Sequence, residues 1–321
     1  MDLIYMNDAM EDVGVLHGYA LDLEFGDDMN SFECTVNVSD HCCKTGWYLY
    51  MEGTEYGGII DKITSDTGAG EVTYSGRTWH GILESKILEP DAGQDYLTTV
   101  AGNAYTRITS LLSRMGLTGL FAVSSESSGV TLKSWKCPRY IGGYDAVKRL
   151  LSTAGCKLQM QFTGGKVVLS AVPKVDYTET EIDSDLFDFR VTHTGQAVNH
   201  LICLGSGELA DRMVVHLYAD ADGNISQTKT FSGMAEYTAV YDYPAAESED
   251  ELISGGEERL KELRGNDSIQ IDLPTDATRY DVGDTLTAID HVTGVTATAE
   301  VKRKIVTMKF GHTFITYKVG D

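Results

Sequence analysis

Leu201-Ile202-Cys203-Leu204-Gly205-Ser206-Gly207-Glu208-Leu209-Ala210, followed by Asp211-Arg212 and Met213-Val214-Val215-His216-Leu217-Tyr218, is the stretch that decides what kind of chain this is. Its first half reads as a buried strand running into G-x-G-x-x-A, the outline of a dinucleotide-binding turn. Such a turn works only where a helix starts, so that free backbone amides meet a pyrophosphate. Here a second β run follows Arg212 instead, and no βαβ unit forms. Gly205 and Gly207 then serve a corner or bulge, where backbone freedom is the requirement.

Outward from this strand–turn–strand unit the pattern stays β. Strands are expected at Phe187 to Thr194, Val198 to Leu204, Met213 to Ala219, Ile225 to Phe231 and Tyr237 to Tyr241. Others follow at Ile269 to Ile271, Thr285 to Ile289, Thr296 to Met308 and Thr313 to Val319. One helix interrupts them at 248–264: Ser248 and Glu251 make a capping box, Leu252, Leu260 and Leu263 share a side, and Gly265 stops it. The first ninety residues also alternate in short runs between turns, from Leu3 to Met6 through Ser31 to Val38, Gly58 to Ile63 and Glu71 to Gly76. Gly68-Ala69-Gly70 reads as a hairpin tip, and a short helix is expected at Trp79 to Leu83. Short strands at this spacing describe a barrel or a sandwich.

The middle has a helical period. Leu97, Val100, Ala101, Ala104, Ile108, Leu111, Leu112 and Met115 recur at three and four before Gly116. Asp145 to Ala154 gives a second helix closed by Gly155, and Cys156 to Phe162 and Lys166 to Ala171 make a hairpin about Thr163-Gly164-Gly165. The fold class is therefore mainly β with an α+β element. The expected domains are a first β domain at 1–90, an α+β unit at 91–184 and a second β domain, with its one helix, at 185–321.

Composition narrows the function. The 321 residues carry 48 acidic against 26 basic side chains, a formal charge of -22, which opposes stable binding to nucleic acid or anionic lipid. The six cysteines (34, 42, 43, 137, 156 and 203) include no C-x-x-C and read as small buried hydrophobes made in a reducing cytosol. Met1-Asp2-Leu3-Ile4-Tyr5 lacks the basic and apolar regions of a signal peptide. No segment reaches the ~20 apolar residues of a membrane helix.

The candidate chemistry fails residue by residue. Asp220-Ala221-Asp222-Gly223-Asn224 spaces oxygens like a calcium loop, but Ile225 and Phe231 stand where the loop needs Gly and Glu, so an Asp-Gly turn is expected. His193, His200 and Cys203 have no fourth zinc ligand at a recognised spacing. There is no H-E-x-x-H, G-x-S-x-G or P-loop. Tyr237, Tyr241 and Tyr243 alternate as sheet or interface residues do. No catalytic, cofactor-binding or metal-binding residue is assigned, and no enzyme activity or cofactor is expected.

Asn199 through Arg212, with His216-Leu217-Tyr218-Ala219-Asp220, Tyr280-Asp281-Val282-Gly283-Asp284 and Ile315-Thr316-Tyr317-Lys318-Val319-Gly320-Asp321, resembles the signature of siphovirus and prophage tail-hub proteins of the ReqiPepy type. Gly58-Ile59-Ile60-Asp61-Lys62-Ile63 and Ser75-Gly76-Arg77-Thr78-Trp79-His80-Gly81-Ile82-Leu83 are similar to that family's first β domain. The resemblance spans the chain and is carried over 91–180 by helix positions rather than residues.

It implies two tube-like β-barrel domains flanking the α+β element, as in the baseplate hubs of contractile tails. It also implies a homotrimeric ring at the tail tip that meets distal-tail, tape-measure and fibre or receptor-binding proteins. DNA would pass through the lumen without stable binding, and no membrane insertion is implied. The expected location is the virion, after synthesis in the host cytoplasm. Glu208, Asp211 and Arg212 would form an ion-pair cluster at a barrel end or subunit interface. Three other readings stay open: a tail-associated cell-wall hydrolase, a receptor-binding module, and the hub of a phage-tail-like bacteriocin.

Overall fold

The computed structural model of the chain describes residues 2–27, 29–183, 189–192, 198–221, 223–246, 248–263, 268–273, 280–290, 295–309 and 311–319. Chain contacts divide it into two units, one built from Met1–Arg190 with Ile269–Gly320 and the other from Val191–Ser268.

The first unit opens with β1 (Leu3–Met6), β2 (Asp12–Leu16), β3 (Ala20–Gly26), β4 (Ser31–Asn37), β5 (Tyr48–Tyr50), β6 (Gly57–Asp66) and β7 (Glu71–Thr78). Alternation sets their faces: along β4, Phe32, Cys34 and Val36 are buried while Glu33 and Asn37 are exposed. The β6–β7 hairpin turns at the expected glycines, and its register slips between Ile60 and Lys62, leaving Asp61 as the extra residue of a bulge. Gly76 lies opposite, where a Cβ would stand 1.9 Å from the Ile59 carbonyl oxygen. Only glycine fits there.

Helix α1 (Trp79–Glu84) follows directly, capped by the Thr78 side chain, which accepts from the Gly81 amide. Helices α2 (Ala104–Arg114) and α3 (Gly143–Ser152) bracket β8 (Phe121–Val123). Then come β9 (Cys156–Thr163) and β10 (Lys166–Pro173), paired antiparallel through the expected hairpin. The α2 reading needs correction at its start, because the apolar spacing suggested a helix from Leu97. Asn103 instead caps the helix, its side chain accepting from the Thr106 amide at 2.8 Å, and Leu97–Thr99 pairs as a strand with Trp135–Cys137. A three-to-four spacing over two short extended pieces mimicked a helical turn. These helices and the hairpin bury one core with Trp79 at its centre, its ring 5.5 Å from that of Phe162 and 6.2 Å from that of Tyr48.

The chain returns to the large sheet through β11 (Asp176–Asp183) and β12 (Phe189–Thr192). After the second unit it continues with β16 (Ser268–Leu273), β17 (Thr285–Asp290), β18 (Val295–Lys309) and β19 (His312–Val319). Among the described residues the sheet has 13 strands in the order β12-β16-β19-β18-β3-β4-β7-β6-β5-β1-β2, with β17 also pairing β18 and β11 pairing β17. Among the described residues no pairing closes a barrel. The β strands from both ends of the chain share one mixed sheet because β18 pairs antiparallel with β3.

The second unit centres on β13 (His200–Leu204), paired antiparallel with β14 (Val214–Ala219) and parallel with β15 (Thr238–Asp242). Helix α4 (Glu249–Leu263) covers one face, where Leu252, Gly256 and Leu260 meet Leu201, Cys203 and Leu217. Ser248 caps its start as expected, the Glu251 amide donating to Ser248 Oγ at 3.3 Å, while the Glu251 carboxylate accepts from the Tyr243 hydroxyl at 3.2 Å. The strand expected over Ile225 to Phe231 is only Ile225–Ser226, and Gly265 lies outside the described residues.

Candidate functional site: a strand junction closed by a buried ion network

The β3–β18 pairing sets Arg303 opposite Gly26 and Met308 opposite Leu21. Along β18 the inward positions are Lys304, Val306 and Met308, so the strand period carries a lysine into the interior. An ammonium there must be matched by a carboxylate and further donors or acceptors, or its desolvation would dominate. Glu55, in the turn between β5 and β6, supplies the match with Oε1 at 2.7 Å from Lys304 Nζ. The rings of Phe25, Tyr56 and Tyr317 stand 5.7–5.9 Å from the same nitrogen. Burial alone would pull the lysine down, but Glu55 and the two tyrosines outweigh it and hold Lys304 above the ordinary lysine range.

A second buried lysine extends the network. Lys157 of β9 donates to Asp281 at 2.9 Å and to both oxygens of Asp284 at 2.8 and 2.7 Å. Asp284 is fully buried and also accepts from the Val175 and Asp281 amides, both at 2.9 Å. Against the cost of burial, Asp284 and Asp281 keep Lys157 above its ordinary value. His80 of α1 lies flat on Phe25, ring centroids 4.5 Å apart, with Tyr144 edge-on at 5.2 Å. Burial first, and Lys148 and Lys304 after it, lower His80 to about 3, so the ring is neutral.

At the rim the same strands pair by charge. Arg303 meets Glu24 at 2.7 Å, Lys309 meets Asp22 at 3.4 Å, and Asp27 takes Lys148 at 2.6 Å and Lys302 at 3.6 Å. The basic run Lys302-Arg303-Lys304 is thus consumed by Asp27, Glu24 and Glu55. A groove of about 360 Å³ passes over the network between Lys148, Lys157, Lys174 and Lys302. Each of these ammonium groups has a carboxylate, Lys174 through Glu300 at 2.9 Å. Arg149 lines the groove beside them. A larger groove of about 930 Å³ lies where β3 and β18 end, lined by Leu16, Val36, Met51 and Met308, with His17 and His312 among its walls.

The motif residues fall into this frame. Asp61 at the bulge receives a fork from Arg77, Nε to Oδ2 and Nη2 to Oδ1 at 2.8 Å each, and that hydrogen bonding holds its carboxyl below the usual range. Tyr280-Asp281-Val282-Gly283-Asp284 forms the turn that carries the partners of Lys157, and Tyr317 packs beside Lys304. In the second unit Gly207 takes φ +99° in the turn between β13 and β14. The expected grouping of Arg212 with Glu208 and Asp211 is replaced: Arg212 pairs with Asp242 and donates from Nε to the Gly205 carbonyl at 3.0 Å. Asp220 makes a tight turn, accepting from the Asn224 amide at 2.8 Å, while Asp222 lies outside the described residues. His200 and Cys203 sit on opposite faces of β13, and His193 lies outside the described residues. Tyr241 and Tyr243 pack against the α4 core, and Tyr237 is exposed. Among the described residues no group of three or more His, Cys, Asp or Glu side chains is placed to hold a metal ion, and no helix is long and apolar enough to cross a membrane.

Sequence reasoning missed Lys157, Glu55 and Lys304. The available signal was a three-residue basic run inside a strand of an acidic chain.

The fold is one shared with phage and prophage tail proteins. The chain matches the tail protein from Neisseria meningitidis with TM-score 0.54 at 12% identity, covering 100% of this chain and 96% of that one. It matches the tail protein of prophage MuSo2 from Shewanella oneidensis with TM-score 0.58 at 11% identity, covering 99% and 98%. A prophage tail protein from Listeria monocytogenes aligns with TM-score 0.51 at 11% identity, covering 99% and 94%. No protein-family model matches the chain, and no curated protein matches it.

Proposed function

We propose that this chain is a structural protein of a phage-type tail, the hub at its tip, and that it has no catalytic activity of its own. The observation that carries the reading is the end-to-end match to three tail proteins, each covered over 94–98% of its length. In this reading three copies form a ring that closes the tail tube and meets distal-tail, tape-measure and fibre or receptor-binding proteins. Membership of the ReqiPepy-type hub family belongs to the same proposal.

The strand junction supports the ring. In a trimer whose subunits each supply two tube-like domains, neighbouring domains must meet six times, alternately within and between chains. The β3–β18 pairing is the kind of edge-to-edge contact that serves within a chain. The domain division into 1–90, 91–184 and 185–321 is part of this proposal, with β1 to β7 as the first tube-like element and the C-terminal strands as the second. Lys302, Arg303 and Lys304 are each matched by a carboxylate, and a chain of formal charge -22 suits a lumen that DNA crosses without sticking.

Antibody labelling of native tail particles tests the reading. Gold at one tip of each tail is expected; labelling along the tube, or none on particles, would remove it.

A further inference from the structure

Residues 86–149 carry eight basic and five acidic side chains, against 26 and 48 in the whole chain, so this stretch is a positive island on an acidic protein. Part of its surface is built on the pairing of Leu97–Thr99 with Trp135–Cys137, which sets Lys136 opposite Thr98. Lys133, Lys136 and Arg139 are exposed there, and none has a carboxylate partner among the described residues. Lys136 Nζ stands 5.6 Å from the ring centre of Tyr96, and the Arg139 guanidinium 5.5 Å from that of Tyr140. Arg139 also donates to the Asp95 carbonyl at 3.3 Å, which joins the two cation–ring pairs into one surface.

Tyr96 is 48% exposed and Tyr140 62%. Tyr140 also holds φ +56°, in the left-handed region that suits glycine and penalises a bulky residue. A ring standing mostly in solvent adds little to the fold that would offset this strain, which points to a contact made outside the chain. Exposed tyrosines set beside arginine and lysine have the composition of a protein interface with a charged rim. A long polyanion such as DNA would overrun the surface and meet the repulsion of a chain at -22. A folded acidic surface, with its carboxylates confined to a small area, would not.

The chain itself supplies such a surface. Helix α4 holds six acidic and two basic residues. With Leu252, Gly256 and Leu260 turned to its core, Asp250, Ser254 and Glu258 line the opposite side at a spacing of four. Asp250 and Glu258 are exposed and have no cation partner among the described residues. We propose that the surface formed by Tyr96, Lys136, Arg139 and Tyr140 of one copy docks on the outer side of α4 in a second copy. The two surfaces differ, so the contact runs head to tail, and repeating it about an axis closes a ring. This names the contact between copies in the ring proposed above and rests on that reading.

Sedimentation equilibrium of purified full-length protein at about 100 μM, in low salt and in ~0.5 M salt, tests the contact. Self-association to a trimer is expected in low salt and is expected to weaken in the higher salt. Lys136→Glu/Arg139→Glu should weaken association at least about tenfold, as should Asp250→Lys/Glu258→Lys, and a chain carrying all four reversals should regain it. Tyr140→Gly, which suits the left-handed backbone, should weaken association while thermal stability is kept or raised. Protein that stays monomeric in low salt, association unchanged by either pair of reversals, or four reversals that fail to restore it would overturn the proposal. Gold labelling at the tail tip decides the hub reading separately in each of those cases. Circular dichroism of each variant verifies that the fold is kept.

Discussion

Lys304 Nζ lies 2.7 Å from Glu55 Oε1, a contact between residues 249 apart in sequence that ties the last long strand to a turn in the first β region. Both groups are shielded from water, with 4% and 18% of their side chains exposed. Removing one partner leaves an uncompensated charge, so Lys304→Met or Glu55→Gln alone should destabilise by about 3–5 kcal/mol. The double variant Lys304→Met/Glu55→Gln removes both charges and should recover much of that loss. Urea unfolding followed by tryptophan fluorescence measures this. A double variant as unstable as the sum of the singles would show that the pair is not a unit.

His80 gives the first unit an acid limit. Its folded value, about 3, lies below the ordinary histidine value, so the unfolded chain binds one more proton between roughly pH 6.5 and 3. Stability from this group is therefore complete above pH 6.5 and is lost as pH falls, by about 1.4 kcal/mol per unit. His80→Phe, which keeps an aromatic ring against Phe25, should flatten the decline of unfolding free energy between pH 6.5 and 4. Equal slopes for variant and wild type would contradict the assignment.

Two adjacent glycines in α4 should respond with opposite signs. A Cβ on Gly256 would stand 2.5 Å from Cys203 Sγ and 2.7 Å from Leu217 Cδ1, so Gly256→Ala should destabilise by about 1–3 kcal/mol. At Gly255 the nearest atom is the Tyr241 hydroxyl at 3.3 Å, at the end of a side chain that can shift. Gly255→Ala should be neutral or stabilise by about 0.5–1 kcal/mol, the usual gain of Ala over Gly inside a helix. Thermal unfolding of the two variants decides it, and the same sign for both would refute the packing described.

How much was legible in the sequence depends on the range of the interaction. The turn at Gly205-Ser206-Gly207 and the Ser248 cap are local, and both stand where the residues put them. So do α1, α3 and the hairpin at Gly164-Gly165. The start of α2 was misread because Leu97 to Ala101 fit a helical period, while their pairing with Trp135–Cys137 is fixed some 35 residues away. The site was less legible still. Asp281, Asp284 and Tyr317 stood out only as parts of motifs, and nothing near Lys304 indicates that Glu55 will face it. Strand alternation shows that Lys304 points inward, but only the β3–β18 register brings its partner.

The ring is the central claim, and copy number tests it most directly. Cryo-electron microscopy of the native tail particle, with the tip reconstructed without imposed symmetry, should show three copies of this chain around the axis. Six strand junctions should follow one another around the ring, three of them the β3–β18 pairing within a chain, with carboxylates outnumbering ammonium groups on the inner wall. One copy or six copies at the tip, or a ring without the β3–β18 junction, would contradict the account.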